Sequence, residues 1–309
     1  MKKYMILAST LVIGWFIFDH VYFYTGDLYL PGTGEISYFS KAEGELLYLD
    51  SGNGFEIYEI KGVNMGFGKP GCSATEMEIT KEEYLRWFQQ IKELGANTIR
   101  VYTLANEAFY EAFYEFNFDN PNPLYLIHGV WVDNYLTNST YCALDREFYK
   151  PFIKSCQQVV DAIHGRLKIS TDTQLSPFSY HRNISPWVIG YILGVEWENT
   201  LVTYTNLCKD QLSQFDGTYF RTEKASNFEI FLAGIGEAVA EYETEKYGTQ
   251  RPIAFSNWAT TDPFQYPENI TQYFKKSGSI DVEHIQCTDE FVPGQFASYH
   301  VYPFYPDYY

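Results

Sequence analysis

Apolar positions recur along this chain with several different spacings, and each spacing marks an element. Residues 4–18 form an unbroken low-polarity run behind Lys2 and Lys3, and after Asp19 and His20 the apolar character resumes at Val21 and continues to Tyr24. The stretch nearly reaches the roughly 20 residues a membrane helix needs. No small-x-small cleavage pattern follows it, so an uncleaved signal anchor is expected rather than a removed export peptide. Lysines before the helix and acidic residues after it place the N-terminus inside and the bulk of the chain outside.

Further on, residues 45–50 and 55–60 flank Ser51-Gly52-Asn53-Gly54 as a β-hairpin, which leads into a strand at 61–65. Thr80 with Glu83 three residues on is a capping box. The helix behind it carries Tyr84, Trp87, Phe88, Ile91 and Leu94 on one stripe until Gly95 stops it. A strand at 98–103 follows, then a helix capped by Asn106 with Phe109, Phe113 and Phe116 on one face, then a strand at 124–132 behind Pro121 and Pro123. The helix at 145–164 turns Phe152, Cys156, Val159, Val160 and Ile163 to one side, with Pro151 as a late start or kink. Residues 168–186 read as a long polar and aromatic loop, 187–196 as a buried strand, and a second insertion runs to about residue 226. Phe228, Phe231, Leu232, Ile235, Val239 and Tyr242 line a last helix up to Gly248, followed by strands at 252–258 and 297–303.

Strands alternating with helices imply parallel βαβ units. Strand starts at Lys61, Thr98, Leu124, Trp187, Pro252 and Ala297 give six units. A doubly wound sheet can stop there, whereas a (β/α)8 barrel needs two more. The glycines of KGVNMGFGKPG lack the G-x-G-x-x-G spacing of a dinucleotide loop, which disfavours the doubly wound alternative. The expected organisation is a signal anchor at 1–25, a lead-in segment with the hairpin at 26–58, and a partial barrel at 59–309.

Composition narrows the partners. With 46% hydrophobic and 20% charged residues the chain folds, and 22 Lys+Arg against 39 Asp+Glu give a net charge of −17 that repels phosphate backbones. No basic patch offsets it, so nucleic acid is not expected. The 19% aromatic content suits stacking on sugar faces, and ordinary core packing accounts for it equally. The five cysteines Cys72, Cys142, Cys156, Cys208 and Cys287 are odd in number with no C-x-x-C pair, so neither a zinc knuckle nor a full disulfide framework can be read. At least one thiol stays unpaired within the chain. Asn138, Asn183 and Asn269 each start an N-x-Ser/Thr triplet. No H-x-x-x-H, H-x-H or G-x-S-x-G spacing occurs, and neither a metal nor a cofactor is expected.

At the C-terminal ends of the strands, where barrel enzymes place their sites, stand Asn64, Arg100 with Tyr102, Trp131 with Asp133, Glu196 with Glu198, Trp258, and His300 with Tyr302. Period-2 alternation puts Glu196 and Glu198 on one side of their strand and Trp197 on the other. Arg100 lies between Ile99 and Val101, where a guanidinium requires a carboxylate, as a structural ion pair or as an active-site clamp. His300 and Tyr302 share a face suited to sugar hydroxyls or to holding a carboxylate, and equally to a hydrogen-bonded core pair.

Taken in order, KGVNMG at 61–66, LGANTIRVYT at 94–103, the helix NEAFYEAF, NPLYL at 122–126, GYILGVEWE at 190–198 and SYHVYP at 298–303 resemble the successive strands of a clan A glycoside hydrolase. The resemblance runs from about Glu59 onward and is nearest to family 2 type catalytic barrels and to cell-wall β-1,3-glucanosyltransferases. It implies a membrane-anchored, outward-facing retaining glycosidase or transglycosidase acting on a polysaccharide or oligosaccharide, with Glu196 as acid/base and Arg100 steadying the nucleophile. Asn64, Tyr102, Trp131, Trp258, His300 and Tyr302 fall to substrate binding. Two departures stand out. The clan's Asn before the acid/base is Val195 here, and its nucleophile, a Glu ending strand seven, is missing because the sequence stops at Tyr309 just after strand six. The 309-residue chain by itself is therefore expected to be inactive, a truncated barrel. The alternative is a non-catalytic barrel that binds polysaccharide through its aromatic ring.

Overall fold

The computed structural model describes residues 2–25, 28, 35–72, 78–132, 139–170 and 178–302. Helix α1 (Lys2–Asp19) continues into a π-helical turn at His20–Thr25, and residues Lys3–Thr25 form a helix long and apolar enough to cross a membrane. Three strands follow, β1 (Ser40–Glu43), β2 (Leu46–Asp50) and β3 (Phe55–Ile57), then β4 (Gly62–Met65), α2 (Lys81–Glu93), β5 (Thr98–Val101), α3 (Glu107–Asn117), β6 (Tyr125–Val130) and α4 (Arg146–Ile163). The second half comprises β7 (Leu167–Ile169), β8 (Phe178–Tyr180), β9 (Val188–Leu193), α5 (Asn199–Leu207), β10 (Phe220–Thr222), α6 (Asn227–Tyr247), β11 (Ile253–Trp258), α7 (Glu268–Phe274), β12 (Ile285–Cys287) and β13 (Ser298–His300).

The six strands β4, β5, β6, β9, β11 and β13 pair in parallel, each with the next in the sequence. A doubly wound sheet reverses its strand order at a switch point, and this one does not. It is also curled. Arg100 on β5 and His300 on β13 are four strand spacings apart, about 19 Å across a flat sheet, yet their side chains meet at 3.0 Å. The architecture is a mixed α/β fold with a curled, parallel half-barrel.

The convex face buries Ile99, Val101, Leu126, Val130, Leu193 and Phe255 against the helices in one large core. On the concave face, Ile127, Ile189, Ile192 and Ala254 join Leu49, with Leu47, Tyr58 and Phe296 packed against them. The β1–β3 sheet therefore plugs the N-terminal mouth: Tyr58 Oη lies 3.1 Å from the Asn97 carbonyl at the start of β5, and the Ala42 N–H donates to Pro293 shortly before β13.

Several expectations hold as read. Thr80 forms both halves of its capping box, and Asn106 caps α3. Others change. Leu94 is the C-cap of α2 and 79% exposed, off the apolar stripe, because the helix ends at Glu93. Pro151 lies inside α4, which starts at Arg146. The span 168–186 contains the β7–β8 hairpin, and the insertion after residue 198 contains α5 and β10. Cys142 and Cys208 form a disulfide across 66 residues, leaving Cys72, Cys156 and Cys287 free.

Below the sheet, α4 and α6 share a buried polar network. Arg251 grips Glu243 at 2.6 and 2.9 Å, His164 meets the same carboxylate at 2.9 Å, and Lys246 and Tyr247 bind Asp161 at 2.8 and 2.6 Å. Although burial opposes ionisation, the Arg251 charge and His164 hold Glu243 down at about 2. His128 is wholly buried on the convex side. Its Nδ1–H donates to the Gly129 carbonyl, its Nε2 accepts from Tyr110 at 2.7 Å, and burial lowers its pKa to about 4. Burial also lowers His164.

At His128 the folded state therefore binds fewer protons than the unfolded state between the ordinary histidine value of 6.5 and about 4, so the stability this group confers is complete above that window and lost as pH falls through it, and His164 acts in the same direction. Glu243 adds a further loss between 4.5 and about 2. The melting temperature is expected to drop continuously from pH 7 to pH 4 in thermal scans, with His128 contributing about 3 kcal/mol at most. His128→Gln, which keeps a hydrogen-bonding side chain without the titration, should flatten that dependence; an equally steep acid limb in the variant would refute the assignment.

Candidate functional site

The concave face turns polar at the C-terminal ends of its strands, and Glu196 reaches that rim by a bend rather than by strand alternation. Strand β9 ends at Leu193, and Gly194 follows at φ +99°, donating its N–H to the Val130 carbonyl at 3.1 Å. A Cβ at Gly194 would stand 2.3 Å from the Trp197 ring. Only glycine allows this turn. Trp197 drops into the convex core among Phe152, Phe228 and Phe231, with no exposed surface, and Glu196 beside it is left half-buried at the mouth. The expected shared strand face of Glu196 and Glu198 is thus overturned: both lie beyond the strand, and Glu198 is an exposed N-cap of α5.

Glu196 is held by two donors on one oxygen. His300 Nδ1 lies 2.8 Å from Oε1, and the Tyr302 hydroxyl donates to the same atom. On the other side of the imidazole, Arg100 Nη2 lies 3.0 Å from Nε2. A guanidinium only donates, so Nε2 accepts, the ring proton sits on Nδ1, and His300 passes its hydrogen bond on to Glu196. Oε2 of Glu196 takes no part in these bonds. Burial and the bond to Glu196 push Tyr302 up to about 12, so it remains a neutral donor near neutral pH.

Arg100 stacks over the Tyr102 ring at 4.5 Å. Burial draws its pKa down, opposed by Tyr102, Glu196 and Tyr302, and its Nε is buried with no hydrogen-bond partner. Among the described residues it forms no ion pair, and its neighbours are a histidine and a ring. Trp131, 39% exposed, meets Tyr102 edge-on at 6.4 Å. Asn64 is the register partner of Arg100 and faces solvent. Trp258 Nε1 donates to the Trp197 carbonyl at 2.8 Å, tying the end of β11 to the Glu196 segment. Asp133 lies outside the described residues.

The loop after β11 adds groups that sequence reading missed. Asp262 is buried and receives the Tyr266 hydroxyl at 2.5 Å, the Phe264 N–H at 3.0 Å and Lys276 Nζ at 2.8 Å. The loop closes a pocket of about 360 Å³ that also takes in Trp258, His300 and Tyr302. Its signal, DPFQYP, has no periodicity and shows only aromatics between turn residues. A larger cavity of about 640 Å³ lies toward the plug, lined chiefly by aliphatic groups such as Leu46, Ile60, Ile127 and Ile189, away from the Glu196 chain. No cluster of three or more His, Cys, Asp or Glu able to hold a metal occurs among the described residues.

No protein-family model and no curated protein matches the chain. Among solved structures, it is similar to an endo-1,4-beta-mannanase from Rhizomucor miehei, at 12% identity and TM-score 0.48 over 86% of this chain and 72% of that one. A beta-glucuronidase from Parabacteroides merdae gives 10% identity and TM-score 0.36 over 82% of this chain and 36% of that one. The protein BpGH50 gives 11% and 0.32 over 73% and 54%. At such identities and TM-scores these likenesses assign neither family nor activity.

Proposed function

We propose that the chain is a carbohydrate-acting barrel in which Glu196 is the acid/base of a retaining glycoside hydrolase or transglycosidase. The observation that carries this reading is the chain Arg100–His300–Glu196, joined by Tyr302, at the C-terminal rim of a parallel half-barrel. Both donors occupy Oε1, which leaves Oε2 to carry the transferable proton. In the first step that proton passes to the glycosidic oxygen as its bond to the anomeric carbon breaks and a second carboxylate, which no described residue places beside Arg100, would take the carbon. In the second, Glu196 removes a proton from water or a sugar hydroxyl, whose oxygen displaces that carboxylate. Arg100, desolvated and with Nε unsatisfied, is the group that would receive the second carboxylate. Asn64, Tyr102, Trp131 and Trp258 would line the sugar path.

Residues 1–25 act in this reading as a membrane anchor before the 26–58 lead-in and the 59–309 barrel, with the N-terminus inside and the barrel outside. The Cys142–Cys208 disulfide supports an oxidising side of the membrane. A second reading, a barrel that binds polysaccharide without cleaving it, is favoured by Val195, buried where a polar sugar contact would precede the acid.

Glu196→Gln in the intact protein should lower turnover of glycosides with poor leaving groups by roughly 10² to 10⁴, with activated aryl glycosides suffering less, and Glu198→Gln should be milder. A larger loss at Glu198 would move the acid to that residue, and no turnover of any glycoside by a wild-type protein that also carries the second carboxylate would leave the binding reading ahead. Arg100→Met should cost about 10² in kcat while the melting temperature changes little, since electrostatic support of a reacting carboxylate is lost rather than packing. Kinetics and melting on the same variant decide it, because a structural arginine would lose both together.

A further inference from the structure

We propose that the polar pocket at the foot of the membrane-length helix binds the phosphate of a bilayer phospholipid, so that one flank of the folded domain is seated on the membrane surface. This rests on residues 1–25 being a membrane anchor and adds what the outer end of that anchor holds. Burial changes abruptly along the segment. Every large apolar side chain from Tyr4 to Phe18 is exposed, whereas Val21, Tyr22 and Phe23 are half-buried on the domain beside β7. Bare apolar side chains that end where protein contact begins mark a boundary between lipid and water. Length agrees, since the 23 residues Lys3–Thr25 rise about 34 Å against a hydrocarbon core of roughly 30 Å. Tyr22 and Tyr24 then fall in the headgroup layer, where amphipathic rings concentrate.

The turn at His20–Thr25 is clamped to the domain. Lys168 on β7 pairs with Asp19, and its ammonium lies 4.8 Å from the centre of the Phe23 ring. Arg166 stacks over Tyr22 at 4.0 Å and donates to the Leu28 carbonyl, while Phe23 meets His181 edge-on at 4.6 Å. The hairpin that receives these contacts is itself tied down, because the Tyr180 hydroxyl donates to the Ala105 carbonyl at 2.8 Å and the Ser179 N–H to Glu107 at 2.7 Å. Whenever the helix spans a bilayer, the flank formed by β7 and α4 must therefore lie at its surface.

Between the turn and α4 lies a pocket of about 310 Å³, lined by Tyr24 and Thr25 from the turn, Lys154, Gln157 and Asp161 from α4, and Lys168 from β7. Its charges are unequal in their freedom. Asp161 is occupied by Lys246, Tyr242 and Tyr247, and Lys168 by Asp19. Lys154 is exposed and forms no ion pair among the described residues, so the charge left over in the pocket is positive. A lysine at the headgroup layer attracts phosphate, and the Gln157 amide is a further donor beside it. The volume is at the small end of ligand pockets, which span roughly 300–1,000 Å³, and so suits a headgroup whose acyl chains run along the exposed helix. In a chain of net charge −17 the rest of the surface is repelled by anionic lipid, which makes a local cationic seat the condition for close approach.

The test is native mass spectrometry of the intact protein in dodecyl maltoside, titrated separately with dioctanoyl phosphatidylglycerol, dioctanoylglycerol and inorganic phosphate. The phospholipid should be retained, the phosphate-free diglyceride lost, and inorganic phosphate held more weakly than the phospholipid. Lys154→Gln should weaken retention of the phospholipid roughly 5-fold, as expected for one lysine at a membrane surface, and Lys224→Gln, an exposed lysine elsewhere, should leave it unchanged. Equal retention of the diglyceride, indifference to Lys154→Gln, or inorganic phosphate bound as tightly as the phospholipid overturns the lipid site. The anchor is tested apart, by flotation with phosphatidylcholine vesicles after detergent removal. Protein that fails to float refutes anchor and site together, whereas protein that floats but shows no phosphate preference refutes the site alone.

Discussion

Parallel strands rich in apolar residues have to be covered on both faces, because their crossovers put helices on one side and the apolar side chains of the second side would otherwise stand in water. In this chain β9 is buried at every position from Val188 to Leu193. Helices α2 to α6 cover the convex side, and the β1–β3 sheet covers the N-terminal half of the concave side through Leu49, Leu47 and Tyr58. What the plug leaves open is the C-terminal half of the concavity. On the concave face that half is the part left open to polar side chains, and it is where Arg100, Glu196, His300 and Tyr302 gather.

Burial on both faces also decides what was legible in the sequence. The inner strands β5, β6, β9 and β11 could be read because a strand covered on both sides becomes a near-continuous apolar run, and α2 and α3 because a half-covered helix keeps its stripe. Strand β1, Ser-Lys-Ala-Glu, has no such pattern; it exists through its pairing with β2 and an exposed Lys41–Glu43 contact at 2.6 Å. Strands β7 and β8 are three residues each and were lost inside a polar loop for the same reason. The Cys142–Cys208 bond and the Asp262–Lys276 pair join residues that only the fold makes neighbours, so no spacing announces them.

The candidate site was legible as a set of residue types and illegible as geometry. Arg100, Glu196, His300 and Tyr302 were legible because they are polar residues at strand ends that border apolar runs. Their contacts were not, because a sequence period describes regular backbone, and Glu196 stands after the backbone has ceased to be regular at Gly194. Alternation would have made Glu198 its equal; the glycine bend and the burial of Trp197 separate them, one at the rim and one on the surface. A half-buried guanidinium met by a neutral imidazole and a tyrosine ring keeps its charge uncompensated, which costs stability and is tolerable where an anion is to be bound.

That uncompensated charge and the saturated carboxylate of Asp262 show two opposite treatments of buried polar groups a few residues from the same imidazole. Asp262 has its partners in full, two side chains and a backbone N–H, and so can only hold its loop. Arg100 has one nitrogen without any partner and a second spent on a histidine, so it retains donor capacity toward the mouth. Buried polar groups that are fully satisfied rigidify, whereas those left short are poised for something that arrives from outside. By that criterion the loop after β11 is scaffold, and in the proposed reading the Arg100 side of His300 is where a second carboxylate would be received. Glu196 has one oxygen fixed by His300 and Tyr302 and the other unengaged by them, which in the proposed reading leaves that second oxygen to carry the proton for the glycosidic oxygen.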